Sequence, residues 1–321
     1  MNLEEIQYKG WPAYELAQGD LALVLVPQVG GRLMGLRWQG QEIFFSHPGL
    51  AGHIEAVEQV KDVRARKKEL GFLYWGGEKT WLAPQAAWPE GTPFLDLDSG
   101  GYDLRVVTNS PAAMSIQMTS PVCRESGMQI TRTLTVESSS QTWETRQCLT
   151  NASSKTATWG IWSVSMVNKP ATVYLPRRSS SRDAADVKIF RDEGESAALR
   201  NHVLRDVGNL TCVDCQDARK FKYGVDSLEG WLLAVLQVDD GHSLVGYVKR
   251  VPTFPNQPYA DDCTLEVYSS GEFSYFEMET LGPTVTLDPG QSYELIEKQS
   301  VFDISRRPDS EADIRRLVDI T

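Results

Sequence analysis

From Leu21 onward the chain is written in short apolar stretches and period-two alternation, each closed off by Gly, Pro, Asn or Asp. No other feature constrains the fold as much, because strand side chains alternate between faces whereas a helix needs a 3.6-residue period. Met128, Ile130, Leu134 and Val136 alternate with Gln129, Thr131, Thr133 and Thr135, which predicts a strand with one apolar and one polar face. Met114, Ile116 and Met118 repeat the pattern, and Leu21 to Val26 is a continuous apolar run. Trp231 to Val238 ends at Asp239-Asp240-Gly241 before Ser243 to Val251 resumes, which predicts a buried hairpin. A second hairpin is expected where Thr284 to Leu287 and Tyr293 to Val301 flank Asp288-Pro289-Gly290. So many strands can cover their apolar sides only by stacking sheets. The expectation is all-β: a large antiparallel β-sandwich with few short helices.

Helical pattern is sparse. Ile54, Val57 and Val60, three apart, precede the charged stretch Lys61 to Glu69 and suggest a short surface helix. Ser310 offers an N-cap for a C-terminal helix over about 310–319. No repeat of 20 to 50 residues and no compositional boundary divides the chain, so residues 1–321 read as a single domain. Arg177 to Asn201 is its longest irregular excursion and a candidate rim loop.

Charge and cysteine usage narrow the partners. A net charge of −11 argues against nucleic acid, whose binding relies on Lys and Arg to displace counterions. No apolar run approaches the roughly 18 residues of a membrane span, and Met1 to Gly10 carries Glu4 and Glu5 without an apolar leader. A cytoplasmic protein without a membrane partner is expected, as a monomer or homodimer. Five scattered cysteines form no disulfide framework. Cys212 and Cys215 have zinc-ligand spacing, but no second pair accompanies them, and in a strand their sulfurs point to opposite faces. Neither metal nor cofactor is expected.

The chemistry concentrates in Tyr275-Phe276-Glu277-Met278-Glu279-Thr280-Leu281-Gly282-Pro283. On a strand, Phe273, Tyr275, Glu277 and Glu279 share one face while Phe276 and Met278 point the other way into a core. Rings beside carboxylates pack poorly but suit a cleft for a polyhydroxylated ligand. Met278-Glu279-Thr280 followed by Pro283 resembles the strand that carries the catalytic glutamate in the aldose 1-epimerase (galactose mutarotase) superfamily. Val26-Pro27-Gln28-Val29-Gly30-Gly31-Arg32-Leu33, Trp75-Gly76-Gly77-Glu78-Lys79-Thr80-Trp81-Leu82-Ala83-Pro84-Gln85, Gly246-Tyr247-Val248-Lys249-Arg250 and Leu287-Asp288-Pro289-Gly290 resemble further signatures. The resemblance is to a bacterial branch of these proteins and covers about residues 15 to 302.

It implies a β-supersandwich and a reaction at the anomeric carbon. A base takes the proton of the anomeric hydroxyl, an acid protonates the ring oxygen, and the ring opens and closes on the other anomer. Glu279 takes the place of the base. The superfamily's acid is typically a histidine, and none of His47, His53, His202 and His242 falls in a matching motif. Gly76 to Trp81 and Thr158 to Ser163 stand where that histidine is expected, so Lys79 becomes the candidate acid or anion-binding group. Arg32, Lys249 and Arg250 also fall in matched segments and would suit a sugar acid or sugar phosphate. Lys249 shares a strand face with Val245 and Tyr247, and Arg250 with Leu244 and Val248, so at most one of the two faces the cleft. Of Trp75, Trp81, Trp88, Trp159 and Trp162, one or two should stack on the sugar, with Trp81 and Trp162 foremost. Glu78, Gln85 and Glu277 are candidate hydroxyl ligands.

Glu279 is expected to project into an open, ring-lined hollow between stacked sheets. Two other readings stay open: a carbohydrate-binding or sensing protein without turnover, and a hydrolase or lyase using Glu277 with Glu279. Their separation of about 7 Å along a strand is in the range of inverting hydrolysis, but same-face neighbours flank a substrate poorly.

Overall fold

The computed structural model describes residues 2–138, 140–178, 187–192 and 203–319. In chain order its strands begin with β1 (Asn2–Tyr8), β2 (Trp11–Gln18), β3 (Leu21–Val26), β4 (Arg32–Trp38), β5 (Gln41–Glu42), β6 (Glu78–Ala83) and β7 (Asp103–Asn109). There follow β8 (Ala113–Thr119), β9 (Met128–Glu137), β10 (Thr142–Asn151), β11 (Ala157–Asn168), β12 (Ala171–Pro176), β13 (Val187–Asp192), β14 (Leu204–Val207) and β15 (Leu210–Cys215). The last are β16 (Phe221–Val225), β17 (Trp231–Val238), β18 (Ser243–Arg250), β19 (Leu265–Ser269), β20 (Tyr275–Leu281), β21 (Val285–Leu287) and β22 (Ser292–Ile304). Helices are short: α1 (Val63–Leu70), α2 (Leu95–Asp98) and α3 (Glu311–Asp319), with a few 3-10 turns.

Among the described residues the strands build two antiparallel sheets. One runs β1-β2-β3-β4-β6-β11-β20-β19-β16-β13, with β5 added to β4 and β21 to β11. The other runs β14-β15-β12-β17-β18-β22-β10-β9-β8-β7. This is the all-β sandwich that the alternation predicts. β9 buries every second residue from Met128 to Val136, and all of these but Arg132 join Leu25, Phe276, Met278 and other apolar side chains of the first sheet in one core. Each such side chain contributes roughly 1.5–3 kcal/mol when fully buried.

The central strands β6, β11 and β20 are buried on both faces, so their polar residues must find partners inside. Toward the second sheet they meet a continuous polar layer. Arg132 of β9 pairs with Glu78 of β6 at 2.6 Å, and Lys249 of β18 pairs with Glu297 of β22 at 3.3 Å. Lys249 also donates to Ser163 and Ser165 of β11, at 3.2 and 3.0 Å. Glu297 accepts from Gln147, Ser163 and Thr280, and Gln147 accepts from Thr80. The layer holds two cations and two carboxylates, all essentially inaccessible. The space between the sheets is therefore filled, by this polar layer and the apolar core around it, and is not an open hollow.

On the outer face of the second sheet, α3 covers Trp231, Leu233, Phe302 and Ile304 with Ile314 and Val318, one turn apart. Ser310 caps it by accepting from the backbone N–H of Asp313. Asp62 caps α1 in the same way through Ala65. Cys212 belongs to this outer cluster and Cys215 to the core between the sheets, so the strand splits the two sulfurs as its alternation requires. Burial pushes the Cys212 thiol up to about 11 and raises that of Cys215 further.

Two expectations are corrected. The turn at Asp288-Pro289-Gly290 does not close a hairpin: Val285–Leu287 pairs with the start of β11, whereas Ser292–Ile304 pairs with β10 and β18 in the other sheet. Asn151 holds this crossing, its amide donating to the Leu287 carbonyl and its own carbonyl accepting from Gly290. Within the presumed irregular stretch Arg177 to Asn201, residues 187–192 form a strand against β16; residues 179–186 and 193–201 lie outside the described residues. The hairpin of β17 and β18 forms as expected, Val238 facing Ser243.

Candidate active site

β11 lies between β6 and β20, and Val164 at its centre stands opposite both Lys79 and Glu279. Adjacent strands are about 4.8 Å apart, so the two backbones are separated by roughly 10 Å with only a valine side chain between them. One step along the strands in one direction, Trp162 faces Trp81 and Leu281; one step in the other, Met166 faces Glu277. All these residues share the face of the first sheet that points away from the second sheet. The entry to β6 fixes this register. Gly77 has φ +66°, and a Cβ there would lie 2.5 Å from the Leu33 carbonyl oxygen, so only glycine lets β6 approach β4 so closely.

Glu279 is the best-held group on the face. Its Oε2 accepts from the Trp162 indole N–H at 2.8 Å and from the Lys222 ammonium at 3.0 Å. Its Oε1 is buried without a hydrogen-bond partner. Glu266 of β19 stands directly opposite, close enough to share a proton, but two ionised carboxylates supply no donor. Burial raises the pKa of Glu279 to about 7; Lys222 opposes the rise and Glu266 adds to it. Burial works against the charge of Lys222, yet Glu279 and Glu266 outweigh it and hold its pKa above the ordinary lysine value.

The second ion pair is Lys79 with Glu277, at 3.1 Å. Burial lowers the pKa of Lys79 and raises that of Glu277, each only partly compensated by the other. The Lys79 ammonium also sits 3.9 Å from the centre of the Trp81 ring, and Lys222 sits 4.5 Å from that of Trp162. Trp81 is fixed from behind: its indole N–H donates to Asp98, which Arg32 clamps at 2.6 Å. Access is narrow. Glu279 is 1% exposed, and the Lys222 side chain, at 19%, is the most accessible of the four ion-pairing groups.

The structure thus brings Lys79, Trp81, Trp162, Glu277 and Glu279 onto one face, with Arg32 behind it through Asp98. It does not bring the others there. Glu78 and Lys249 point into the layer between the sheets, as the alternation of β6 and β18 dictates once Lys79 and Arg250 face outward. Arg250 lies on the outer face of the second sheet, where it donates to the Val318 carbonyl of α3. Gln85 is exposed in the 3-10 turn after β6 and hydrogen-bonds no described residue of the face. His47 accepts from Gly49 and packs edge-on against Phe273 at the Tyr275 end of the face, His53 stacks on Trp75, and His242 contacts the Asp239 carbonyl; His202 lies outside the described residues.

Sequence reasoning missed Lys222, Glu266 and Asp98. Phe221-Lys222-Tyr223 and Leu265-Glu266-Val267 each place one charge between two buried apolar residues, which marks strands whose second face is also covered. Glu266 reaches Glu279 across the adjacent strand, 13 positions away, but Lys222 meets the two only by pairing 44 and 57 positions along the chain, for which there is no local signal. Among the described residues no group of three or more His, Cys, Asp or Glu is arranged to hold a metal ion, and no helix is long and apolar enough to cross a membrane.

No protein-family model and no curated protein sequence matches the chain. Solved structures do. A candidate aldose 1-epimerase from Klebsiella pneumoniae superposes with a TM-score of 0.60 at 14% identity, over 96% of this chain and 82% of that one. A galactose mutarotase-like protein from Clostridium acetobutylicum gives 0.55 at 11% identity, over 94% and 98%. The chain has the galactose mutarotase-like fold. A candidate aldose 1-epimerase from Escherichia coli K12 adds a TM-score of 0.56 at 14% identity, over 91% of this chain and 99% of that one. At such identities the likeness speaks for the mutarotase-like architecture and leaves the chemistry to the residues.

Proposed function

We propose that this mutarotase-like chain binds a sugar on the Glu279 face and interconverts its anomers. The observation that carries the reading is the unpartnered Oε1 of Glu279: a buried carboxylate oxygen on a side chain that shares its sheet face with Trp81 and Trp162, and whose burial raises its pKa to about 7. A base poised near the working pH combines a useful ionised fraction with useful proton affinity.

In this reading the sugar lies over Val164, its C–H side against an indole, with the anomeric hydroxyl donating to Oε1 of Glu279. Glu279 takes that proton as the bond from the anomeric carbon to the ring oxygen breaks. Lys79, on the far side of Val164, gives a proton to the ring oxygen; its lowered pKa makes the ammonium a better acid than a solvated lysine. The open-chain aldehyde turns about its first carbon–carbon bond, and the two transfers reverse to close the other anomer. Glu277 holds Lys79 in place. Both lysines already have carboxylate partners, which favours a neutral sugar over a sugar acid or phosphate.

The test is anomer exchange followed by NMR on a panel of aldohexoses, amino sugars, uronates and hexose phosphates. Exchange faster than in buffer with wild type and at the buffer rate with Glu279→Gln supports the proposal. Equal exchange in both removes it. Binding without turnover is the second reading, favoured by the near-complete cover over Glu279 and by its partners, which among the described residues are Trp162 and Lys222 rather than a histidine. It predicts ligand-dependent thermal stabilisation with no acceleration of exchange on any sugar.

A further inference from the structure

Resting on the anomeric reading, we infer that Lys222 is the positioning residue of this site: it keeps Glu279 ionised and aimed, and Glu266 sets how strongly it does so. The geometry is specific. Lys222 reaches from β16 across β19 and places its ammonium 2.7 Å from Glu266 Oε2 and 3.0 Å from Glu279 Oε2. The same ammonium lies over the Trp162 ring, whose N–H holds the same Glu279 oxygen, so both hydrogen bonds to the base come from one pair of touching side chains. Oε2 is thereby occupied, and Oε1 makes no hydrogen bond.

The charges explain why such a residue is required. Glu266 and Glu279 are cross-strand partners, an arrangement that destabilises like charges, and both are nearly inaccessible. Glu277 adds a third carboxylate two residues along β20, but Lys79 neutralises it from β6 and makes no hydrogen bond with Glu279. On β13, Lys188 is engaged by Asp261, while Arg191 acts on the phenols of Tyr74 and Tyr268. Among the described residues Lys222 is therefore the cation that hydrogen-bonds Glu279 and favours its ionisation beside Glu266. Because the two carboxylates share it, removing either partner should move Glu279 in opposite directions. Without Lys222 the base faces Glu266 unscreened and its proton binds more tightly; without the charge of Glu266 it keeps the ammonium to itself and its proton binds less tightly.

The experiment uses the full chain with 13C-labelled glutamate carboxyls, titrated by NMR in wild type, Lys222→Met, Lys222→Arg and Glu266→Gln, alongside the pH profile of anomer exchange. The Glu279 midpoint should rise by about one pH unit or more in Lys222→Met. It should fall in Glu266→Gln and stay near the wild-type value in Lys222→Arg. Exchange at pH 7 should drop about fivefold or more in Lys222→Met and recover at higher pH, which a merely structural lesion would not do. A midpoint that fails to rise in Lys222→Met, or rises in Glu266→Gln, overturns the inference; if Lys222→Met does not fold, Glu266→Gln and Lys222→Arg decide it. The titration is independent of turnover: midpoints that move as stated with no sugar exchanged would end the anomeric reading alone. Exchange lost in Glu279→Gln with midpoints that stay put would end this inference alone.

Discussion

Replacing Lys249 by methionine probes the layer between the sheets, on which the register of the site strands depends. Methionine keeps most of the side-chain volume and removes only the charge. The ammonium donates to Ser163 and Ser165 and pairs with Glu297 at 3.3 Å, with Glu78 4.0 Å away, and no part of it reaches solvent. Its loss turns a balanced set of Arg132, Lys249, Glu78 and Glu297 into one with an orphaned carboxylate. Breaking a buried pair from one side costs about 3–5 kcal/mol, a large share of the roughly 5–15 kcal/mol that holds a domain together. Equilibrium guanidinium unfolding followed by tryptophan fluorescence should show that loss at pH 7. The orphaned carboxylate binds a proton more tightly folded than unfolded, so the deficit should grow as pH rises and shrink as it falls. Adding Glu297→Gln should restore part of the stability, since a neutral amide no longer needs the cation. A deficit below about 1 kcal/mol, or one that ignores pH, would refute the view of this layer as a charge-balanced unit.

Two further outcomes follow from single side chains. The raised pKa of Glu279 contributes stability that is full below the ordinary carboxylate range and is lost as pH rises through about 7. Glu279→Gln should therefore melt higher than wild type at pH 8, with the advantage gone by about pH 4.5; equal melting curves at both pH values would contradict the burial of an ionising group. Ser310→Ala removes the hydroxyl that caps α3 and should cost about 1 kcal/mol by chemical denaturation. No change would mean that Ile314 and Val318 hold the helix without its cap.

The sandwich was legible because alternation is local: Met128 to Val136 states its own two faces, and Tyr275 to Leu281 states that Glu277 and Glu279 share one. The same parity separates Glu78 from Lys79 and Lys249 from Arg250, but it does not say which face meets the other sheet. That is decided by partners such as Arg132, 54 residues from Glu78 and in the other sheet, and Glu297, 48 residues from Lys249 on the paired strand. The turn at Asp288 reads as a reversal from its residue types, and only Asn151, far away in sequence, makes it a crossing between sheets. Lys222 and Glu266 escaped for a related reason: their role is a meeting of three strands, and no single strand encodes it.

The most direct test of the central claim is the rate of anomer interconversion in two-dimensional exchange NMR at pH 7, sugar by sugar, with wild type and Glu279→Gln at matched concentration. The account predicts cross-peaks between anomers that grow faster with wild type than in buffer for at least one neutral aldose, and fall to the buffer rate with the variant. Buffer-rate exchange with wild type on a sugar that demonstrably binds would contradict it.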